Sequence, residues 1–220
     1  MRTIIQSAVF GAAVALGSMT ANATLIDTTS SDIGTVFQFG YPDSATYGQT
    51  FTVTGTDTVL DSFSLYVRGR YSGAGTVDLR GYIAAWDGSK ASSILFESAT
   101  QTMNAAATQQ EFAFNTGGLG LLSGSDYVAF LSISNLGVQA ESTFGMPYAG
   151  DEIAGNFVFL NNGTNFGSLT SSNWGTGFLG SSDAWFKASL SSSSVVPAPA
   201  TLALFGLGLA GLGWSRRKKA

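Results

Sequence analysis

The chain has 220 residues, of which 45% are hydrophobic and 11% charged, and it contains neither cysteine nor histidine. The missing residue types exclude disulfide bonds, the Ser-His-Asp triad and metal sites built on histidine or cysteine. All fourteen acidic residues lie between residues 24 and 196, together with only five basic ones, a net charge of −9 that disfavours nucleic acid as a partner.

The first 23 residues are predicted to be a secretory signal peptide. Arg2 supplies a positive start, residues 4–16 form an apolar stretch, and Ala21 and Ala23 form an A-x-A cleavage site. The pattern predicts export through the Sec translocon, cleavage by signal peptidase and a mature chain that begins at Thr24. The alternative is an uncleaved membrane helix, which the short apolar stretch disfavours.

Residues 24–190 are predicted to form one all-β ectodomain. Segments rich in Val, Ile, Phe, Tyr and Thr alternate with clusters of Gly, Ser, Asn and Asp. No segment of this region shows a helical period of useful length. The spacing favours an antiparallel two-sheet jelly-roll sandwich of about eight strands. The predicted strands are residues 48–54, 58–67, 76–86, 94–100, 108–116, 125–134, 154–160 and 184–191.

Alternation of residue types predicts which strand faces enter the core. Phe63, Leu65 and Val67 alternate with more polar neighbours, as Phe112 and Phe114 do, so these side chains are expected on an inward face. Residues 127–131 are apolar at every position, which predicts a central strand covered on both faces.

Three aromatic residues are candidates for stacking on sugar rings. Trp174 lies in a polar segment predicted to be a long loop, residues 161–182, and Tyr148 and Tyr71 lie outside the predicted strands. For Trp174 and Tyr148 the alternative is a hydrophobic plug. Trp86 and Trp185 are assigned to the core.

The chemistry of the remaining side chains is sparse. Asp32, Asp43 and Asp183 are candidate calcium ligands, because calcium prefers oxygen and often fixes loops of secreted domains. Ordinary surface carboxylates are the alternative. No other cofactor is predicted. No catalytic constellation is recognisable, so the chain is predicted not to be an enzyme.

The C-terminal region is predicted to be a sorting signal. A serine-rich linker, residues 191–196, precedes a tail of residues 197–220. The tail holds a Pro-Ala-Pro motif, an apolar stretch at residues 200–214 and four basic residues. The apolar stretch predicts a single hydrophobic membrane helix, with the basic end retained on the cytoplasmic side. The residues concerned are Val196, Pro197, Ala198, Pro199, Arg216, Arg217, Lys218 and Lys219.

This layout resembles the PEP-CTERM sorting domain, in which a Pro-Glu-Pro motif precedes a hydrophobic helix and an arginine-rich end. Ala198 stands where that family usually has glutamate. The resemblance implies export through the inner membrane of a Gram-negative-type bacterium, an anchored precursor, processing by an exosortase-like enzyme and a final place at the cell surface or outside the cell. A membrane anchor that is never cut is the alternative.

The ectodomain has a weaker resemblance, carried by residues 48–52, 83–88 and 122–129, to β-sandwich domains often attached to such tails, which are similar to carbohydrate-binding modules. The leading hypothesis is therefore an exported, non-enzymatic surface or matrix protein associated with exopolysaccharide or biofilm. A glycan-binding module acting on extracellular polysaccharide is the second hypothesis. A secreted polysaccharide-degrading enzyme is the third.

Overall fold

The computed structural model describes residues 23–42, 44–69, 75–104, 108–139, 144–176 and 181–193. In these ranges every regular element except one four-residue helix is a strand, so the all-β prediction is confirmed. The elements are β1 (Thr24–Asp27), β2 (Gly34–Phe39), β3 (Thr46–Thr52), β4 (Asp57–Gly69), β5 (Thr76–Trp86), β6 (Ala91–Glu97), β7 (Gln101–Asn104), β8 (Gln110–Gly120), β9 (Asp126–Ser132), β10 (Phe144–Tyr148), β11 (Phe157–Leu160), α1 (Ser168–Ser171) and β12 (Phe186–Ser192).

The described ranges hold twelve strands where about eight were expected. The four additional strands are β1, β2, β7 and β10. Strands β1 and β7 have only four residues each, and β10 contains Gly145 and Pro147, which have low strand propensity. These segments therefore give a weak sequence signal, and their pairing with longer strands stabilises them.

Two antiparallel sheets form the sandwich. In sheet A the strands β1, β12, β4 and β8 are successive neighbours, and β10 and β2 extend the sheet from β4. In sheet B the order is β11, β3, β9, β5 and β6, with β7 also paired to β5. The chain repeatedly crosses between the sheets, from β3 to β4 to β5 and from β8 to β9. This order is that of a jelly roll, which confirms the predicted architecture.

The main core lies between the two sheets. Phe63, Leu65 and Val67 of β4 are at most 2% exposed, and Phe112 and Phe114 of β8 are 3% exposed, as their alternation predicted. The rings of Phe63 and Phe114 stack with their centroids 4.9 Å apart. Close packing of such rings supplies the apolar burial that a chain without disulfide bonds requires.

A second core covers the outer face of sheet B. The odd-numbered residues of the apolar stretch 127–131 pack in the main core, and Val128 and Phe130 pack in a second cluster. The segment predicted to be a loop lies over this cluster and contributes Leu169 and Trp174. The prediction that β9 is covered on both faces is thus confirmed.

Candidate functional site

Trp174 lies inside the second core. It is 5% exposed, and its ring meets those of Phe130 and Trp86 edge to face, with centroids 5.2 and 5.6 Å away. Its indole Nε1 donates a hydrogen bond to the carbonyl oxygen of Leu169 at 2.9 Å. This burial does not fit the predicted sugar-stacking surface for Trp174 and matches the hydrophobic-plug alternative, because a sugar needs an open ring face.

Tyr148 is also held by the fold. It is half-buried and ends β10, although the sequence placed it outside regular strands. Its ring lies over Gly34, where an added Cβ would come within 3.0 Å of the ring carbon. The third candidate, Tyr71, lies outside the described residues.

Asp32 and Asp183, two of the three candidate calcium ligands, have partners within the protein. Asp32 is exposed and forms two hydrogen bonds with the guanidinium of Arg68, at 2.7 and 3.1 Å, which lower the pKa of this carboxyl. Asp43 lies outside the described residues. Within the described ranges, no group of three or more acidic side chains lies close enough together to hold a metal ion. Calcium binding stays a prediction.

Asp183 is fully buried and forms a polar junction with the middle of β3. Its carboxylate accepts hydrogen bonds from Gln49 Nε2 at 2.5 Å and from the backbone N–H groups of Glu152 and Ile153 at 2.7 and 2.9 Å. Gln49 Oε1 in turn accepts from the N–H of Ala184 at 2.7 Å. Burial raises the pKa of Asp183 despite these donors. The bonds join β3 to the loop before β11 and to the start of β12.

A solvent-open groove lies beside the second core, on the outer face of sheet B. Thr52 pairs with Asp126 across β3 and β9, and Trp86 ends β5, the next strand of the sheet. These three side chains share the outer face with Val128, because residues two apart on a strand point the same way. The groove encloses about 290 Å³ and is lined by Thr50, Phe51, Thr52, Trp86, Gly88, Asp126, Ala154, Gly155 and Asn156.

The far wall of the groove is held in place by backbone contact. The N–H of Asn156 donates to Thr50 Oγ1 at 2.9 Å, and the N–H of Thr50 donates to the carbonyl of Asn156 at 3.0 Å. A Cβ added to Gly155 would lie 2.0 Å from the carbonyl oxygen of Thr50. Glycine therefore permits this close approach, which holds the backbone of Asn156 at the groove.

The groove was missed by sequence reasoning because Trp86 was assigned to the core. The structure leaves Trp86 half-buried at the groove and places Trp185, also half-buried, against the Arg68 guanidinium 5.0 Å from its ring. The two faces of β5 explain this position: Ile83 lies in the main core and Ala84 in the second cluster. By the same period of two, Trp86 points outward.

Several predicted sites lie outside the described residues. These are Ala21 of the cleavage site, the motif residues Val196, Pro197, Ala198 and Pro199, and the basic residues Arg216, Arg217, Lys218 and Lys219. Ala23 is described and exposed immediately before β1. In the described ranges, no helix has the length and apolar character needed to cross a bilayer.

Fold and sequence together define a β-sandwich ectodomain followed by a C-terminal sorting segment. The PEP-CTERM protein-sorting motif matches residues 195–218, so this prediction is confirmed. The motif implies export and membrane-anchored sorting in Gram-negative bacteria. No curated protein sequence matches the chain.

Among solved structures, the sandwich is similar to the clostridial cysteine protease Cwp84 after propeptide cleavage. The TM-score is 0.52 at 12% identity, over 78% of this chain and 40% of that one. A second structure contains the cysteine protease and lectin-like domains of Cwp84, a surface-layer-associated protein of Clostridium difficile. It gives a TM-score of 0.47 at 15% identity, over 69% of this chain and 32% of that one. The chain thus spans well under half of either protein, and the first likeness shows the fold alone.

Proposed function

We propose that this protein is an exported, non-enzymatic cell-surface or extracellular-matrix protein, sorted by an exosortase-like enzyme and associated with exopolysaccharide. The observation that carries the proposal is the sorting motif at residues 195–218, which begins three residues after the last described strand of the sandwich ends at Ser192. A folded body joined directly to a sorting segment is the layout of a protein that is delivered to a surface and displayed there.

The ends of the sandwich are compatible with a precursor held in one membrane. Strand β1 begins at Thr24, the first residue after the predicted cleavage site, and Thr24 pairs with Leu190 of β12. The predicted signal peptide and the sorting segment therefore leave the domain at the same end. The acidic body suits a secreted or surface location, since its net charge of −9 between residues 24 and 196 opposes binding to anionic lipid.

The test is the intact mass of the protein recovered from its native host. We expect the mass of a chain that begins at Thr24 and ends near the Pro-Ala-Pro motif. Any mass above that value would report an attached glycan or lipid. A recovered mass equal to that of the full chain, signal peptide and tail included, would contradict export and processing together. The mass of a chain that begins at Thr24 and still carries the tail would contradict only the cleavage by an exosortase-like enzyme.

Neutralising the basic end of the tail should release the precursor from the membrane. We expect glutamine at positions 216–219 to shift most of the unprocessed precursor out of the membrane fraction, since each Lys or Arg at the bilayer centre costs about 2.5–3.5 kcal/mol and so stops transfer. Immunoblots of fractionated cells measure the shift. The matched control, Lys218→Arg with Lys219→Arg, keeps the charge and should keep retention. Unchanged retention of the neutral variant would contradict the stop-transfer role.

The groove on sheet B favours a second candidate function, a glycan-binding module. It offers the half-buried ring of Trp86 together with hydroxyl, amide and carboxylate groups. Glycoside hydrolysis uses a pair of carboxyl groups, whereas Asp126 is the one carboxylate among the described lining residues. This composition suits recognition of hydroxyl groups better than the third hypothesis, a polysaccharide-degrading enzyme.

A further inference from the structure

We infer that the groove formed by Thr52, Trp86, Asp126 and Asn156 binds a single pyranose ring of a neutral polysaccharide. The inference deepens the proposed function, on which it rests for polysaccharide as the partner, and assigns that contact to residues other than Trp174. Four observations support it: the packing behind Trp86, the polar groups that no other described residue occupies, the size of the groove and the charge of the domain.

Trp86 is positioned from behind by the second core. Its ring meets the buried ring of Trp174 edge to face at 5.6 Å, and the Trp174 indole is itself fixed by its hydrogen bond to Leu169. A half-buried aromatic side chain held in this way loses little conformational freedom when a ligand binds. Its apolar ring offers a surface for the C–H face of a sugar.

The polar groups of the groove have capacity for hydroxyl groups. Asp126 Oδ1 accepts a hydrogen bond from Thr52 at 2.7 Å, which orients the carboxylate. No hydrogen bond from another described residue reaches Asp126 Oδ2 or the side-chain amide of Asn156. In the strand order Asp126 lies between Trp86 and Asn156, so a carboxylate and an amide follow one another on the same side of the aromatic ring. Together they can accept from and donate to neighbouring hydroxyls of one ring.

Size and charge narrow the ligand class. A volume of about 290 Å³ is at the lower end of the range for small-molecule pockets and suits one sugar unit of a longer chain. The net charge of −9 between residues 24 and 196 and the carboxylate in the groove oppose uronic acids and sulfated sugars. A neutral hexopyranose polymer fits both features. One ring per site gives weak binding, which display of many copies on a surface strengthens through avidity.

The test is isothermal titration of the soluble ectodomain, residues 24–194, with neutral hexasaccharides of β-1,4-linked glucose, mannose and galactose, and with hexagalacturonate as the anionic probe. We expect at least one neutral probe to bind, and hexagalacturonate to bind at least about tenfold more weakly. Trp86→Ala should lower the affinity for the neutral probe by about tenfold or more, the usual effect of a central aromatic contact. Asp126→Asn should lower it by a smaller factor at an unchanged melting temperature.

Two further variants keep the result interpretable. Trp86→Phe retains an aromatic ring and the packing on Trp174, so it should keep most of the affinity even if Trp86→Ala fails to fold. Trp185→Ala removes the other half-buried tryptophan of the described ranges, which precedes β12 in the opposite sheet, and should leave affinity unchanged.

The outcomes separate this inference from the proposed function. If a folded Trp86→Ala variant still binds, or if Trp185→Ala abolishes binding, the groove is not the binding site. The protein would then associate with polysaccharide through another site. Absence of binding to all three neutral probes overturns the inference, and absence of retention on the host's own exopolysaccharide in affinity electrophoresis overturns the association itself. Preference for hexagalacturonate overturns the neutral ligand class, and release of reducing ends overturns the non-enzymatic proposal.

Discussion

Replacing Asp183 with alanine should destabilise the domain by about 3 kcal/mol or more, because three buried donors lose their acceptor. The carboxylate has no exposed surface and satisfies Gln49 Nε2 and two backbone N–H groups. Alanine would leave all three donors buried without an acceptor, and each such group costs about 1–3 kcal/mol. Urea denaturation followed by circular dichroism measures the change.

The control for this experiment is Asp32→Ala. Asp32 also accepts two hydrogen bonds, from Arg68, but it is exposed, and exposed ion pairs contribute at most about 1 kcal/mol. Asp183→Asn tests the hydrogen-bond geometry, because the new amide nitrogen must face either Gln49 or the backbone donors. Its loss of unfolding free energy should therefore lie between those of Asp183→Ala and Asp32→Ala. Equal midpoints for Asp183→Ala and Asp32→Ala would contradict the junction described for Asp183.

The difference in stability between the wild type and Asp183→Ala should change with pH in a defined direction. Burial raises the pKa of Asp183 above its ordinary value of 3.8, so the folded state binds more protons than the unfolded state between the two pKa values. The stability of the wild type relative to Asp183→Ala should therefore rise as the pH falls from the raised pKa toward 3.8. Asp32 behaves oppositely: its pKa is lowered, so its contribution is present above 3.8 and is lost as the pH falls. A stability gap that narrows in acid would contradict the raised pKa of Asp183.

Sequence patterns predicted the fold well where local periodicity and tertiary packing agree. Residues 76–86 were predicted as a strand with the bounds that β5 has in the structure, and the apolar stretch 127–131 marked the strand shared by both cores. In both cases the pattern of apolar residues directly predicts which faces of the strand are buried. Strand β10 lacks such a pattern, because glycine and proline have low strand propensity. Its long-range pairing with β2 stabilises it instead.

The candidate site was harder to predict because its parts are far apart in the sequence. Thr52, Trp86, Asp126 and Asn156 come from four separate segments, and only strand order brings them together. The segment predicted to be a loop was misleading because of its composition. Its glycine, serine and asparagine content indicates exposure, but it carries Leu169 and Trp174 onto an apolar sheet face that composition alone does not reveal. The polarity of a segment therefore did not predict the burial of its few large side chains.

Replacing Trp174 with alanine should destabilise the domain by about 3–5 kcal/mol, as truncation of buried aromatic residues does. The change removes the contacts with Phe130 and Trp86 and leaves a cavity beneath residues 161–176. Trp174→Phe fills part of that space and should lose less, although it also lacks the hydrogen bond to Leu169. Thermal unfolding at one protein concentration measures both variants.

The two tryptophans that touch each other should thus respond differently. Trp174→Ala should lower the melting temperature strongly and weaken sugar binding only through the lost support behind Trp86, whereas Trp86→Ala should mainly weaken binding, since its ring is already half in solvent. Comparing affinities well below the melting temperature of the weaker variant separates the two effects. A Trp174→Ala variant with unchanged melting temperature and abolished binding would reverse the assignment and return Trp174 to the surface role that its polar sequence context predicted.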